Sequence, residues 1–113
     1  MHETAIMEGA MEIVLAKAKE NNLSKINIIT AKVGELSGAL PEALVFAFDA
    51  ISKGTIADGA LFKIDTVKAT AKCEPCDMIF EVDSFNKLCP RCNTFSRNIL
   101  TGYELYINTI EGE

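Results

Sequence analysis

Cys73-Glu74-Pro75-Cys76, twelve further residues, then Cys89-Pro90-Arg91-Cys92: this stretch decides how the rest of the chain is read. A two-residue spacer lets a tight turn aim two sulfurs at one point while backbone N–H groups bond back to them. Two such turns facing each other make the tetrahedral four-sulfur site that zinc prefers, ahead of iron. Pro75 and Pro90 stiffen the turns and reduce the entropy lost on ligation. Thiolates buried without a metal are costly, so folding of this segment is expected to be coupled to metal binding. A redox dithiol would need one pair near a strand-to-helix turn and the other elsewhere, whereas both pairs share one short β-like segment. Four protein ligands leave no open coordination position, so zinc at Cys73, Cys76, Cys89 and Cys92 is expected to be structural and not catalytic.

Outward from the cysteines, the chain reads as two helices and several strands. Towards the amino terminus, Met7, Met11, Val14 and Ala18, with Ile6, Ala10 and Ile13 beside them, mark a helix over 4–20 that Asn21-Asn22 ends. Ile26, Ile28, Ile29, Thr30 and Val33 mark a strand. Pro41 opens a second helix to about Ser52, with Leu44, Val45, Phe48 and Ile51 as its expected buried face and Gly54 as its stop. Leu61, Ile64 and Val67 predict a strand over 60–69. After the cysteine segment, Leu105, Ile107 and Ile110 predict a last strand. The predicted class is α+β: two helices packed on a small mixed β-sheet, interrupted by an inserted zinc-ribbon-like domain with four cysteine ligands. The expected division is 1–69 plus 101–113 for the α/β domain and 70–100 for the insert.

With 113 residues and 49% apolar side chains, the chain is long enough for one core domain and a small appendage. Its formal charge of −5 argues against a protein whose main work is gripping phosphate backbone. The first residues lack a basic stretch followed by an apolar run, and no apolar stretch approaches the roughly 20 residues that span a bilayer. Paired C-x-x-C motifs in such a chain predict a cytoplasmic protein with no membrane or nucleic-acid partner.

Little remains for catalysis. The one histidine is His2, so no Cys–His or Ser–His pair exists, and the Gly34–Gly38 loop lacks the lysine of a phosphate-binding loop. No enzyme is expected. His2 is notable for its position: the Met1 amine, the His2 amide nitrogen and the imidazole Nδ1 can close adjoining chelate rings on one ion. With the amide deprotonated, that set favours square-planar coordination of nickel(II) or copper(II), and the Glu3 amide or carboxylate can take the fourth position. A bulky second residue also disfavours removal of Met1. On residue type alone, a solvated terminal histidine is the plainer reading, and Met7 and Met11 read as core side chains.

Met1-His2-Glu3, the Val33-Gly34-Glu35 strand end, Phe48 before Gly54-Thr55, and the paired C-x-x-C insert together resemble the HypA/HybF family of nickel-insertion proteins for [NiFe]-hydrogenase. The resemblance covers essentially the whole chain. It implies a nickel metallochaperone with His2 as nickel ligand, Glu3 beside it, and structural zinc on the four cysteines. It also implies docking with a partner GTPase and with the hydrogenase large subunit, and it leaves service to urease open. A rival reading is a zinc-ribbon module for nucleic acid or transcription proteins, favoured by Lys68, Lys72, Lys87, Arg91 and Arg97 around the insert. Glu74, Asp77, Glu81 and Asp83 nearly cancel those cations, and Phe80, Phe85 and Phe95 are expected to serve the insert's small core.

Overall fold

A computed structural model describes residues 3–113; the Met1 and His2 readings lie outside the described residues. The elements run α1 (Glu3–Glu20), β1 (Ile26–Gly34), α2 (Pro41–Ile51), β2 (Leu61–Val67), β3 (Thr70–Cys73), β4 (Met78–Glu81), β5 (Ile99–Thr101) and β6 (Leu105–Gly112). They form two three-stranded sheets, ordered β2-β1-β6 and β4-β3-β5. The α+β class with a four-cysteine ribbon-like site is thus present. The second sheet, built by the insert itself, is an addition to the single sheet expected.

The chain divides into two compact units. One comprises the chain up to Lys32 with Ala39–Asp65 and Tyr106–Glu113; the other comprises Val33–Gly38 and Thr66–Leu105. In the first, α1 buries Met7, Met11, Val14 and Ala18, the stripe its spacing predicts. The helix stops where Asn22 turns left-handed at φ 57° and Leu23 N–H reaches back to Ala18 O at 2.9 Å, an arrangement that satisfies the last carbonyls. Helix α2 opens at Pro41, and the Leu40 N–H before it donates to Glu3 Oε2 at 3.4 Å.

One side-chain expectation for this unit fails, on α2. Helix α2 buries Leu44, Ala47 and Phe48, while Val45 is exposed and Ile51 only half-buried. On β2 the buried residue is Phe62, whose ring packs against Phe48 at 4.9 Å between centroids with the planes tilted by 47°, and Leu61 faces solvent. Adjacent apolar residues on a period-2 strand leave that choice to the packing, because a slip of one residue exchanges the faces.

In the second unit β3 pairs antiparallel with both β4 and β5. Its small core is Ala69, Ala71, Cys73, Phe80, Val82 and Cys89. Of the three aromatics expected there, only Phe80 is buried; Phe85 and Phe95 are exposed. The β1 end enters this unit through Gly34, whose N–H donates to Glu104 O at 2.7 Å, while Leu36 N–H donates to Gly102 O at 2.6 Å. A Cβ at Gly34 would land on the Gly102 carbonyl, and Gly102 itself sits at φ +127°, open chiefly to glycine. Gly34→Ala must push these backbones apart and weaken both bonds. The expected loss is at the upper end of the about 1–3 kcal/mol typical of overpacking. Urea denaturation measures it, and an unchanged midpoint would mean the strand end yields freely.

Candidate metal centre

The four cysteines arrive on two turns. The first follows β3, which ends at Cys73, and returns through β4 from Met78. The second lies in a hairpin where Cys89 N–H donates to Thr94 O at 2.9 Å and Asn93 N–H donates to Cys89 O at 2.8 Å. In each turn the residue after the second cysteine is left-handed: Asp77 at φ 53° and Asn93 at φ 61°. Asp and Asn tolerate that conformation better than other non-glycine residues, so the pattern C-x-x-C-[Asp/Asn] carries a turn signal that spacing alone does not express.

All four Sγ atoms lie within 4.8 Å of one another, with Cys73 and Cys92 at 3.5 Å. Four sulfurs around one tetrahedral ion at a 2.3 Å bond length stand about 3.8 Å apart, so the cluster needs only small adjustment to close on a metal. Cys73 and Cys89 are buried, Cys76 half-buried and Cys92 exposed. The centre is therefore a closed four-thiol metal-binding cluster with one ligand at the surface.

Its electrostatics are uneven without metal. The Thr94 hydroxyl, 3.2 Å from Cys92 Sγ, and the Thr94 N–H donate to a thiolate and pull Cys92 down to about 6. Cys76, hydrogen-bonded to Cys92 and partly removed from water, is pushed up to about 12. Hydrogen bonding thus makes Cys92 the readier of the two to give up its proton. Metal loading must expel protons and is favoured by rising pH. Around the cluster, Ser96 Oγ donates to Lys72 O at 2.5 Å, and Lys72 pairs with Asp77 at 2.8 Å across the first turn. That pair raises Lys72 and lowers Asp77 through their mutual hydrogen bond and charge attraction. Thr94 and Ser96 escaped the sequence reading, since only the hairpin brings them against a ligand and against Lys72 O.

Of the expected nickel residues, Glu3 is the first described; it begins α1 and its carboxylate accepts the Leu40 N–H. The cysteine cluster is the only group of three or more metal-ligating side chains among the described residues. No helix among them is long and apolar enough to cross a membrane.

Comparison with known proteins agrees with this architecture. The family described as "Hydrogenase/urease nickel incorporation, metallochaperone, hypA" matches residues 1–112. A hydrogenase maturation factor HypA from Picosynechococcus sp. is 40% identical over 111 residues, covering 98% of each chain. Its counterpart from Chlorobaculum parvum is 38% identical over 110 residues, covering 97% of each. The solution structure of the Ni metallochaperone HypA from Helicobacter pylori superposes with a TM-score of 0.68 at 22% identity, over 99% of this chain and 97% of that one. A second solution structure, of a HypA protein, gives 0.71 over 100% and 97%. With a match along nearly its whole length and relatives of equal extent, the chain belongs to the HypA family of nickel-incorporation metallochaperones.

Proposed function

We propose that this chain carries nickel(II) at its amino terminus and delivers it to the large-subunit precursor of a [NiFe]-hydrogenase, acting with a partner GTPase and catalysing no reaction itself. The Met1 amine, the His2 amide and imidazole, and Glu3 make the nickel site; Cys73, Cys76, Cys89 and Cys92 hold structural zinc. In this reading 1–69 with 101–113 forms the nickel-binding portion and 70–100 the zinc insert, in a cytoplasmic protein.

The observation that carries the reading is membership of a nickel-incorporation family along residues 1–112. The cluster's chemistry supports the division of labour. Four thiols around one ion leave no position for a transferable cargo, so the cargo needs a second, open site. Bound by the four cysteines, zinc would supply cross-linking of two turns and no reactivity. The Glu3 carboxylate is engaged by Leu40 N–H, which favours its amide over its side chain as the fourth nickel donor.

Delivery demands selective binding with release. A terminal nitrogen site supplies both, because it must lose protons to bind: the imidazole titrates near 6.5 and the amine near 8 in unperturbed peptides. Protonation competes with nickel on the acid side, so affinity falls as pH drops below about 7. Equilibrium dialysis of the zinc-loaded chain in mildly alkaline and mildly acidic buffer tests this, with His2→Ala alongside. His2→Ala is expected to keep its zinc and lose nickel binding. Nickel binding indifferent to pH, or undiminished in His2→Ala, would sink the terminal site.

A further inference from the structure

We propose that two copies of this chain associate through unlike surfaces: the hairpin beyond the second cysteine turn of one copy receives the outer face of α2 of another.

The hairpin surface is apolar and basic. Leu88 and Phe95 are cross-strand partners, so their side chains share a face. Arg97, two residues on from Phe95, lies over that ring at 5.9 Å. Phe85 projects from the preceding turn and is 99% exposed, while Phe95 is 54% exposed. That turn is tied by Asp83, whose carboxylate accepts the N–H groups of both Phe85 and Asn86 at 2.7 Å, so Phe85 is held out by an ordered loop. Between 84 and 98 stand Lys87, Arg91 and Arg97 and no carboxylate, in a chain with five more acidic than basic side chains. None of these three cations is in a salt bridge among the described residues, where the bridges are Lys17–Glu20, Lys32–Asp65, Lys68–Glu81 and Lys72–Asp77.

The face of α2 opposite its core has the complementary chemistry. Glu42, Val45, Phe46 and Asp49 follow the i, i+3, i+4, i+7 spacing of one helical face and all are exposed, Phe46 at 78%. Leu40, also exposed, extends the apolar centre at the helix start. An apolar middle with a carboxylate at each end fits an apolar middle flanked by cations. Burial of the rings supplies the attraction, since contiguous exposed apolar groups of this kind mark interaction sites. The rim charges set orientation and choice of partner more than strength. A nucleic acid fits less well: three cations are few for a phosphate backbone, and the acidic remainder of the chain repels one.

Sedimentation equilibrium of the zinc-loaded full chain over a rising concentration series tests this. The wild type is expected to show reversible self-association. Lys87→Glu with Arg97→Glu makes both surfaces acidic, and Glu42→Lys with Asp49→Lys makes both basic. Each double variant alone should weaken association by at least about tenfold, because like charges now meet. Mixing the two variants pairs acidic with basic at both kinds of contact and should restore association to near wild-type strength. Phe46→Ser, an exposed residue distant in sequence from the cysteines, should weaken it similarly. A wild type that stays monomeric at every concentration overturns the proposal, including the case where it instead retards single-stranded RNA in a gel. Variants that associate undiminished, or a mixture that fails to recover, overturn it equally.

Discussion

Chelation of the zinc-loaded chain, or Cys89→Ser, is expected to unfold the unit formed by Val33–Gly38 and Thr66–Leu105 while the helix-bearing unit keeps its core. The hydrophobic core cluster of the cysteine unit is two alanines, two ligand cysteines, Phe80 and Val82, with Leu36, Cys76, Met78 and Ile99 partly buried against it. Phe80 and Val82 contribute about 1.5–3 kcal/mol each on burial. So small a core, joined by short strands and turns, leaves much of the unit's stability to a cross-link. Structural zinc in small domains contributes on the order of 10 kcal/mol or more, comparable to the about 5–15 kcal/mol that holds an ordinary domain together. Amide exchange by NMR reads the result. Protection at β3, β4 and β5 should vanish on chelation, while α1 and the β1 residues around Ile26 and Ile29 remain protected. Retained protection across β3–β5 in zinc-free protein would show that the sheet stands on its own packing.

The sequence and the structure agree where one pattern had one physical meaning. Met7, Met11, Val14 and Ala18 repeat at helical spacing along a helix of 18 residues, and that stripe is buried. The cysteines were legible because few arrangements other than a shared metal bring two C-x-x-C pairs together. Ambiguity entered where adjacent apolar residues competed for the interior. Val45 beside Leu44 and Leu61 beside Phe62 are equally apolar in sequence, and only the facing layer decides which is covered. The insert's sheet was harder still, because β5 is three residues long and meets β3 from about thirty residues away. Apolar type also misled at Phe85 and Phe95, which read as core and are exposed. Thr94 had no signal of its own; its role depends on a hairpin closed by Asn93 in the left-handed region.

Three residues added before Met1 are expected to lower nickel affinity at least about hundredfold, beyond the 10–100-fold that loss of a mere hydrogen-bond partner of a ligand costs. The added residues leave every native side chain in place. They convert the Met1 amine into an amide and move the free amine three residues away, too far for the amine–amide–imidazole rings to close together on one ion. This is too far as well for the amine, two amides and imidazole that a single added residue would bring together. His2→Ala is a blunter probe, since it removes a donor whatever the rest of the set is. The comparison of the two separates three cases. Loss in both requires the amine and the imidazole together. Loss in His2→Ala alone means the imidazole binds with side-chain or solvent donors, and the proposed chelate is wrong even though His2 matters. Loss in the extended chain alone would place nickel on the amine without the imidazole. Zinc content should be the same in all of these proteins, because the four-thiol cluster is complete with its own cysteines and needs none of the terminal donors. If zinc falls along with nickel, the two metals share donors, and the assignment of cargo to the terminus and cross-link to the cysteines fails with it.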